Sequence, residues 1–444
     1  MGRYIGVGAF DDHLTSMQIK TISRVVDSFR RHPQLIRLAC GVQHYDWGDP
    51  DAIPDMLGKA NPTRRPFAEL WAGAHPDLPA TAHIDGIRVP LDNLIAGAPE
   101  QILGPGVAQR FDNELPFLLK ILAAGKPLSI QTHPDDKQAR TGFERENRVG
   151  LPLDAATRNY HDPHHKPELL VALTDFFSLR GFRPLGEIVQ LLTETQELAP
   201  LNVLFRTNGH KLAPLYAHIM HLEQNQADAM LSPLIERLEH DNRRHAFTPS
   251  HRAYWLLRAN REYSNSGHRD LGLFSMLLLN LVQLRPRQAV FLPAGELHAY
   301  LQGVGIELMT NSNNVLRGGL THKFVDVDEL LNTLSFRTAA ADLIEGIASS
   351  DEPGLISYPA PAGEFSLCSL DMAAGHEFTR TDGKLALILI AAGTIQAHQE
   401  NQPPLVLHAG EALLAPAGIH WRVHATKNSV CWLARVPPKG VSYA

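Results

Sequence analysis

The chain has 444 residues, 44% hydrophobic and 20% charged, with a net charge of −6. That suits a folded protein of two or three domains with sizeable cores, and argues against nucleic acid or an anionic membrane as the main partner. No apolar run reaches the ~18 residues of a membrane span, and Cys40, Cys368 and Cys431, far apart and without CxxC spacing, read as reduced core thiols of a cytoplasmic protein.

Residues 1–34 carry no signal-peptide hydrophobic region and read as an N-terminal appendage, with one short helix over about Ser16 to Arg31. From Leu35 to Arg183 short strands alternate with Gly/Pro turns. Leu115–Leu122 and Leu128–His133 are strand-like and separated by Ala-Ala-Gly-Lys-Pro. The period then changes: Ile188, Leu191 and Leu192, then Leu231, Leu234, Ile235 and Leu238, recur at helical spacing. Residues 184–280 are therefore predicted to be mostly helical. Strand character returns at Gln288–Leu292 and persists to the C-terminus.

Phe291-Leu292-Pro293-Ala294-Gly295-Glu296-Leu297-His298 resembles Leu414-Ala415-Pro416-Ala417-Gly418-Ile419-His420. In both, Pro and Gly turn the chain and His opens the next strand, a cupin-like hairpin that predicts two jelly-roll barrels. The second copy lacks companion donors, so a metal is not expected at His420.

Chemistry concentrates elsewhere. Gln131 and His133 are one residue apart, so on a strand they project from one face. In His165-Lys166-Pro167-Glu168, Pro167 denies a ladder bond and sets the backbone entering Glu168. His298 follows far downstream. Each piece alone is as often a satisfied polar pair or a solvated turn. Together Gln131, His133, Glu168 and His298 form a nitrogen/oxygen donor set without thiolate, suited to Zn²⁺. His161, His164 and His165 read as surface residues or as supports of a ligand. Lys120 lies within an apolar strand, where a charge must be paired or used. Lys137 and Lys166 are further cations near the donors. Arg317, among small residues, is placed to meet a phosphate or an oxyanion. So many cations around one metal in an acidic protein point to an anionic substrate.

These stretches, with Tyr45-Asp46-Trp47-Gly48, Ala68–Pro76, Asn159–Leu169, His298–Gly303 and Asn314–Thr321, closely resemble the type I mannose-6-phosphate isomerases of bacteria, from about residue 35 to the end. The resemblance implies a mainly β fold with a helical insert. Its parts are a cupin catalytic domain over 35–183 and 281–349, interrupted by the helical insert 184–280, and a C-terminal cupin-like domain over 350–444. It implies one Zn²⁺ on Gln131, His133, Glu168 and His298, with Arg317 in the catalytic cleft and Lys120 and Lys166 nearby. The substrate is then a phosphorylated hexose, and the protein a monomer.

Isomerisation of mannose 6-phosphate to fructose 6-phosphate moves a proton between C1 and C2 through an enediol(ate). Lys166 and Glu307 are the candidate proton-transfer groups, Arg317 stabilises negative charge, and Lys120, Lys137 and Arg317 bind substrate. One departure stands out: the family has Asp where this chain has Asn313. If a missing carboxylate limits turnover, Asn313→Asp raises it by roughly tens-fold at most. The same departure motivates the alternative, a non-catalytic, metal-containing sugar-phosphate binder.

Overall fold

The computed structural model describes residues 16–265, 267–350, 352 and 354–438. Three antiparallel sheets and a block of helices make up the described chain. None of the sheets closes on itself, so the predicted jelly rolls stand as open sheets rather than sealed barrels.

A ten-stranded sheet carries the chemistry. Its spine is His298–Thr310, a 13-residue strand. This strand pairs with Phe117–Ala124 on one side and with Glu168–Ala172 and Phe176–Phe182 on the other. The short strands Gln131–Thr132 and Leu316–Arg317 join at its N-terminal end, where His298 lies opposite Gln131 and Gln131 opposite Arg317. Two-residue alternation sends the donors one way and their apolar neighbours the other.

Those neighbours explain the helices. Ile130, Leu297 and Leu316, each adjacent to a site residue, are buried in one apolar cluster with Phe205, Tyr216, Leu231, Ile235 and Trp255. The latter five lie on helices Ala199–Thr207, Leu212–Met220, Gln224–Arg244 and Arg252–Tyr263. The apolar face of the helical block thus packs behind the strands that present the donors.

A nine-stranded sheet joins the two ends of the chain. Ile36–Ala39 pairs with Glu411–Ala415 on one edge and with Thr81–Ile84 on the other. A four-stranded sheet, Glu377–Arg380, Trp421–Ala425, Thr394–Gln399 and Leu405–His408, completes the C-terminal part. The helix expected near the N-terminus spans Ser16–Arg31. It is more than an appendage: Ile22, Val25, Val26 and Phe29 are buried in the main core. Gly97 leaves room for Val26, where a Cβ would come within 2.7 Å of its methyls.

Candidate metal centre

Three side chains, Glu168 and His298 from two strands and His133 from just past the end of a third, meet at one point. The ligand atoms of His133, Glu168 and His298 lie within 4.8 Å of one another, all buried. Among the described residues no other group of three His, Cys, Asp or Glu side chains is so arranged. His133 Nε2 is 3.2 Å from Glu168 Oε1, and His298 Nε2 is 3.5 Å from Glu168 Oε2. The Gln131 amide lies beside them, with one terminal atom 3.4 Å from His298 Nε2. Rotating the amide by half a turn offers its oxygen to the same point.

The imidazoles are held from behind. His133 Nδ1 is 2.7 Å from the Asn314 carbonyl and His298 Nδ1 is 3.0 Å from the Glu296 carbonyl. A carbonyl only accepts, so each Nδ1 carries a proton and each Nε2 faces the centre. Burial holds His133 down at about 4, the charge of Glu168 only partly opposing it, so the ring is neutral. Burial alone would raise Glu168. Lys166, with Nζ 3.2 Å from Oε1, and His133 more than reverse this and leave it well below the usual carboxylate range. The result is a neutral His133 imidazole beside an ionised Glu168, the protonation states metal ligands need.

One observation tests the fit directly. Among the described residues, His133 Nε2 and Glu168 Oε2 are buried with no hydrogen-bond partner. Orphaned polar atoms of this kind are costly unless a further partner satisfies them. A divalent cation does so for both at once, and the oxygen/nitrogen set matches zinc.

Beside the centre is a buried charge cluster that the motifs alone did not reveal. Lys120 Nζ lies 3.1 Å from Glu307 Oε2 and 3.5 Å from Glu69 Oε1. Trp71 Nε1 donates to Glu69 Oε2 at 2.7 Å, Tyr300 OH donates to Glu307 Oε1 at 2.9 Å, and the Lys120 ammonium lies 5.1 Å from the Trp71 ring centroid. Register builds this: Lys120 is opposite Glu307 on one neighbouring strand and opposite Trp71 on the other. Burial alone would lower Lys120, but the two carboxylates more than offset that and hold it above its usual value. Removing one partner of such a pair costs roughly 3–5 kcal/mol. Lys120 is therefore committed to Glu69 and Glu307. Glu307 itself is raised by burial, with Lys120 opposing and Glu168 and Glu69 adding to the rise.

Arg317 is half-buried. Burial lowers its guanidinium, and among the described residues no carboxylate is paired with it. Lys323 is a second cation here, lowered by its own partial burial and by the Arg317 charge. No local pattern marked Lys323; only its closeness to Arg317 does. Lys137 stands exposed on the helix Asp136–Arg148. His161 Nδ1 meets the Leu153 carbonyl at 3.0 Å, His164 is exposed, and His165 pairs with Glu364. His420 is exposed.

Asn313 is explained by a neighbour. Its Nδ2 donates to Asp77 Oδ2 at 2.9 Å, and its backbone N–H donates to Asp162 Oδ2 at 2.7 Å. A carboxylate thus already lies where an aspartate at 313 would bring one. Asn313→Asp would lose the amide's bond to Asp77 and set two carboxylates against each other. This variant should leave isomerase activity at pH 7 unraised, which is the outcome in which the missing carboxylate does not limit turnover. A tens-fold gain in kcat/KM would refute this.

The fold and the donor set define the class: a mainly β protein with a buried His/Glu/His metal centre. The family model for the catalytic domain of type I phosphomannose isomerase matches residues 35–185. The mannose-6-phosphate isomerase of Escherichia coli is 36% identical over 386 residues, covering 86% of this chain and 94% of that protein. The one of Homo sapiens is 30% identical over 411 residues, covering 87% and 94%. The crystal structure of the Salmonella typhimurium enzyme bound to its substrate and zinc superposes with a TM-score of 0.79 at 34% identity, covering 91% of this chain and all of that one. The chain belongs to the type I mannose-6-phosphate isomerase family.

Proposed function

We propose that this chain interconverts mannose 6-phosphate and fructose 6-phosphate with one zinc ion held by Gln131, His133, Glu168 and His298. The observation that carries the reading is the convergence of buried His133, Glu168 and His298, with His133 Nε2 and Glu168 Oε2 unpartnered among the described residues, beside unpaired cations. When bound, zinc supplies Lewis acidity toward the sugar oxygens.

The chain's own groups do the rest. Lys166, beside Glu168, is the group that moves the proton between C1 and C2. Arg317 stabilises the negative charge that develops on the enediolate oxygen. Arg317 and Lys323 together form the cationic corner for the phosphate, a role Lys120 cannot take without abandoning two buried carboxylates. Glu307, fixed by Tyr300 and Lys120, gives electrostatic support rather than proton transfer. Within this reading the β parts are two cupin-type units. The catalytic one, over 35–183 and 281–349, is interrupted by the helical 184–280, and the C-terminal one, over 350–444, borrows the strands Ile36–Ala39 and Thr81–Ile84. No described helix is long and apolar enough to cross a membrane. A monomer in the cytoplasm belongs to the same proposal.

Metal analysis combined with a coupled assay on mannose 6-phosphate tests it. The expected result is one zinc per chain and turnover that chelation abolishes and zinc restores. Turnover by the metal-free chain would sink the zinc reading. Binding of mannose 6-phosphate without turnover would bring back the non-catalytic alternative.

A further inference from the structure

The loop that delivers Lys166 is fastened from two directions. The catalytic sheet holds its backbone. Thr310 Oγ1 donates to the His165 carbonyl at 2.7 Å, Ser312 Oγ donates to the His164 carbonyl at 3.2 Å, and Asn314 Nδ2 donates to the same carbonyl at 2.9 Å. The C-terminal part holds its side chain: His165 Nε2 lies 3.2 Å from Glu364 Oε1, with both side chains mostly buried. Glu364 is itself anchored, because Arg110 Nη2 donates to the adjacent Gly363 carbonyl at 2.8 Å and Nη1 to the Pro437 carbonyl at 3.3 Å. The other oxygen, Glu364 Oε2, is buried without a hydrogen-bond partner among the described residues.

We infer that Glu364, supplied by the C-terminal part of the chain, is a positioning residue for the isomerase site: its ion pair with His165 holds the segment that carries Lys166. The inference rests on the proposed function for its kinetic readout. The contact lies next to a functional group, so a small displacement matters. His165 precedes Lys166 directly, and Lys166 Nζ must stay within 3.2 Å of Glu168 Oε1. The structure also gives the C-terminal part a task, since it contributes none of the candidate ligands.

The charges around the pair favour the ionised form. Burial would lower His165, but the hydrogen bond and charge of Glu364 outweigh it. Asp136 adds to the rise and Arg140, from the same helix, opposes it. On the other side, burial would raise Glu364, and His165 reverses this, helped by Arg110. His165 is thus raised above its usual value. The ionic part of the contact is present below that raised value and is lost as pH climbs through it.

The test uses the full zinc-loaded chain and the variants Glu364→Gln and Glu364→Asp. Glu364→Gln keeps the shape but removes the charge. It is expected to lower kcat roughly ten- to a hundredfold, as small misplacements of a reacting group do, with KM changed by no more than about twofold. The fall of kcat that accompanies loss of the His165 proton should be absent from Glu364→Gln, because the variant has no carboxylate for the imidazolium to pair with. Glu364→Asp, which keeps the charge, should recover part of both effects. The His165 titration, followed by NMR in wild type and Glu364→Gln, should shift downward in the variant whether or not the chain is an isomerase. Failure of the functional reading would therefore leave this readout intact. A Glu364→Gln variant with wild-type kcat and the wild-type alkaline limb would overturn the inference. So would an unchanged His165 titration, or a loss of kcat that Glu364→Asp fails to relieve while its fold is intact.

Discussion

His298→Ala should strip zinc from the purified chain and lower isomerase turnover by roughly 10²–10³-fold, the scale of losing a preorganised electrostatic contact in a buried site. His298 is 1% exposed and fixed by the Glu296 carbonyl, so its Nε2 is held in place at the centre. The remaining His133, Glu168 and Gln131 would hold a metal with one donor fewer and no replacement within reach. Most of the fold should survive. The strand His298–Thr310 keeps its long ladder to Phe117–Ala124, and that ladder does not depend on this imidazole. Metal content by elemental analysis, turnover by the coupled assay and circular dichroism measured on the same preparation check all three points. Full zinc occupancy with full activity would reject His298 as a ligand. A collapsed circular dichroism spectrum would show instead that the ring is structural. Gln131→Ala should be milder, since an amide oxygen is a weaker donor than an imidazole or a carboxylate.

Arg317→Ala should separate chemistry from metal binding. The guanidinium has no lone pair for a metal, so zinc content should stay at one per chain. Its role is toward an anion, and kcat/KM should fall roughly 10²–10³-fold, comparable with removal of an oxyanion-stabilising donor. Arg317→Lys should recover only part of this, because a point charge cannot reproduce the planar, bidentate fork. The position makes the two readouts informative: Arg317 sits opposite Gln131 in the ladder, one strand from a candidate ligand. If zinc were lost in step with activity, Arg317 would be a structural support of the Gln131 strand. If kcat/KM changed by less than a few-fold, the cationic corner would have to be assigned to Lys323 alone.

The signals that can be read along the chain are local. Alternation within Gln131-Thr132-His133 and the Pro167–Glu168 step identified which side chains carry donors. The Pro-Ala-Gly hairpin marked where His298 begins its strand. The change from period two to helical spacing located the helices between Leu185 and Leu278. Each of these depends on neighbours a few residues apart, and backbone geometry makes them readable. The tertiary structure alone decided the pairings. Lys120 looked like a phosphate ligand because a lone cation in an apolar strand has two explanations. Register with Glu307 and the approach of Glu69 supply the pairing that the strand by itself could not show. Glu307 lies an odd number of residues from His298, so a regular strand would turn the two to opposite faces. A register irregularity between Tyr300 and Gln302 resets the alternation, and Tyr300 OH reaches Glu307. Asp77 beneath Asn313, Glu364 against His165 and the strand Ile36–Ala39 against Glu411–Ala415 each join residues far apart in the chain. Such contacts leave no periodic trace, because what brings them together is the packing of whole sheets and helices rather than the conformational preference of any one segment.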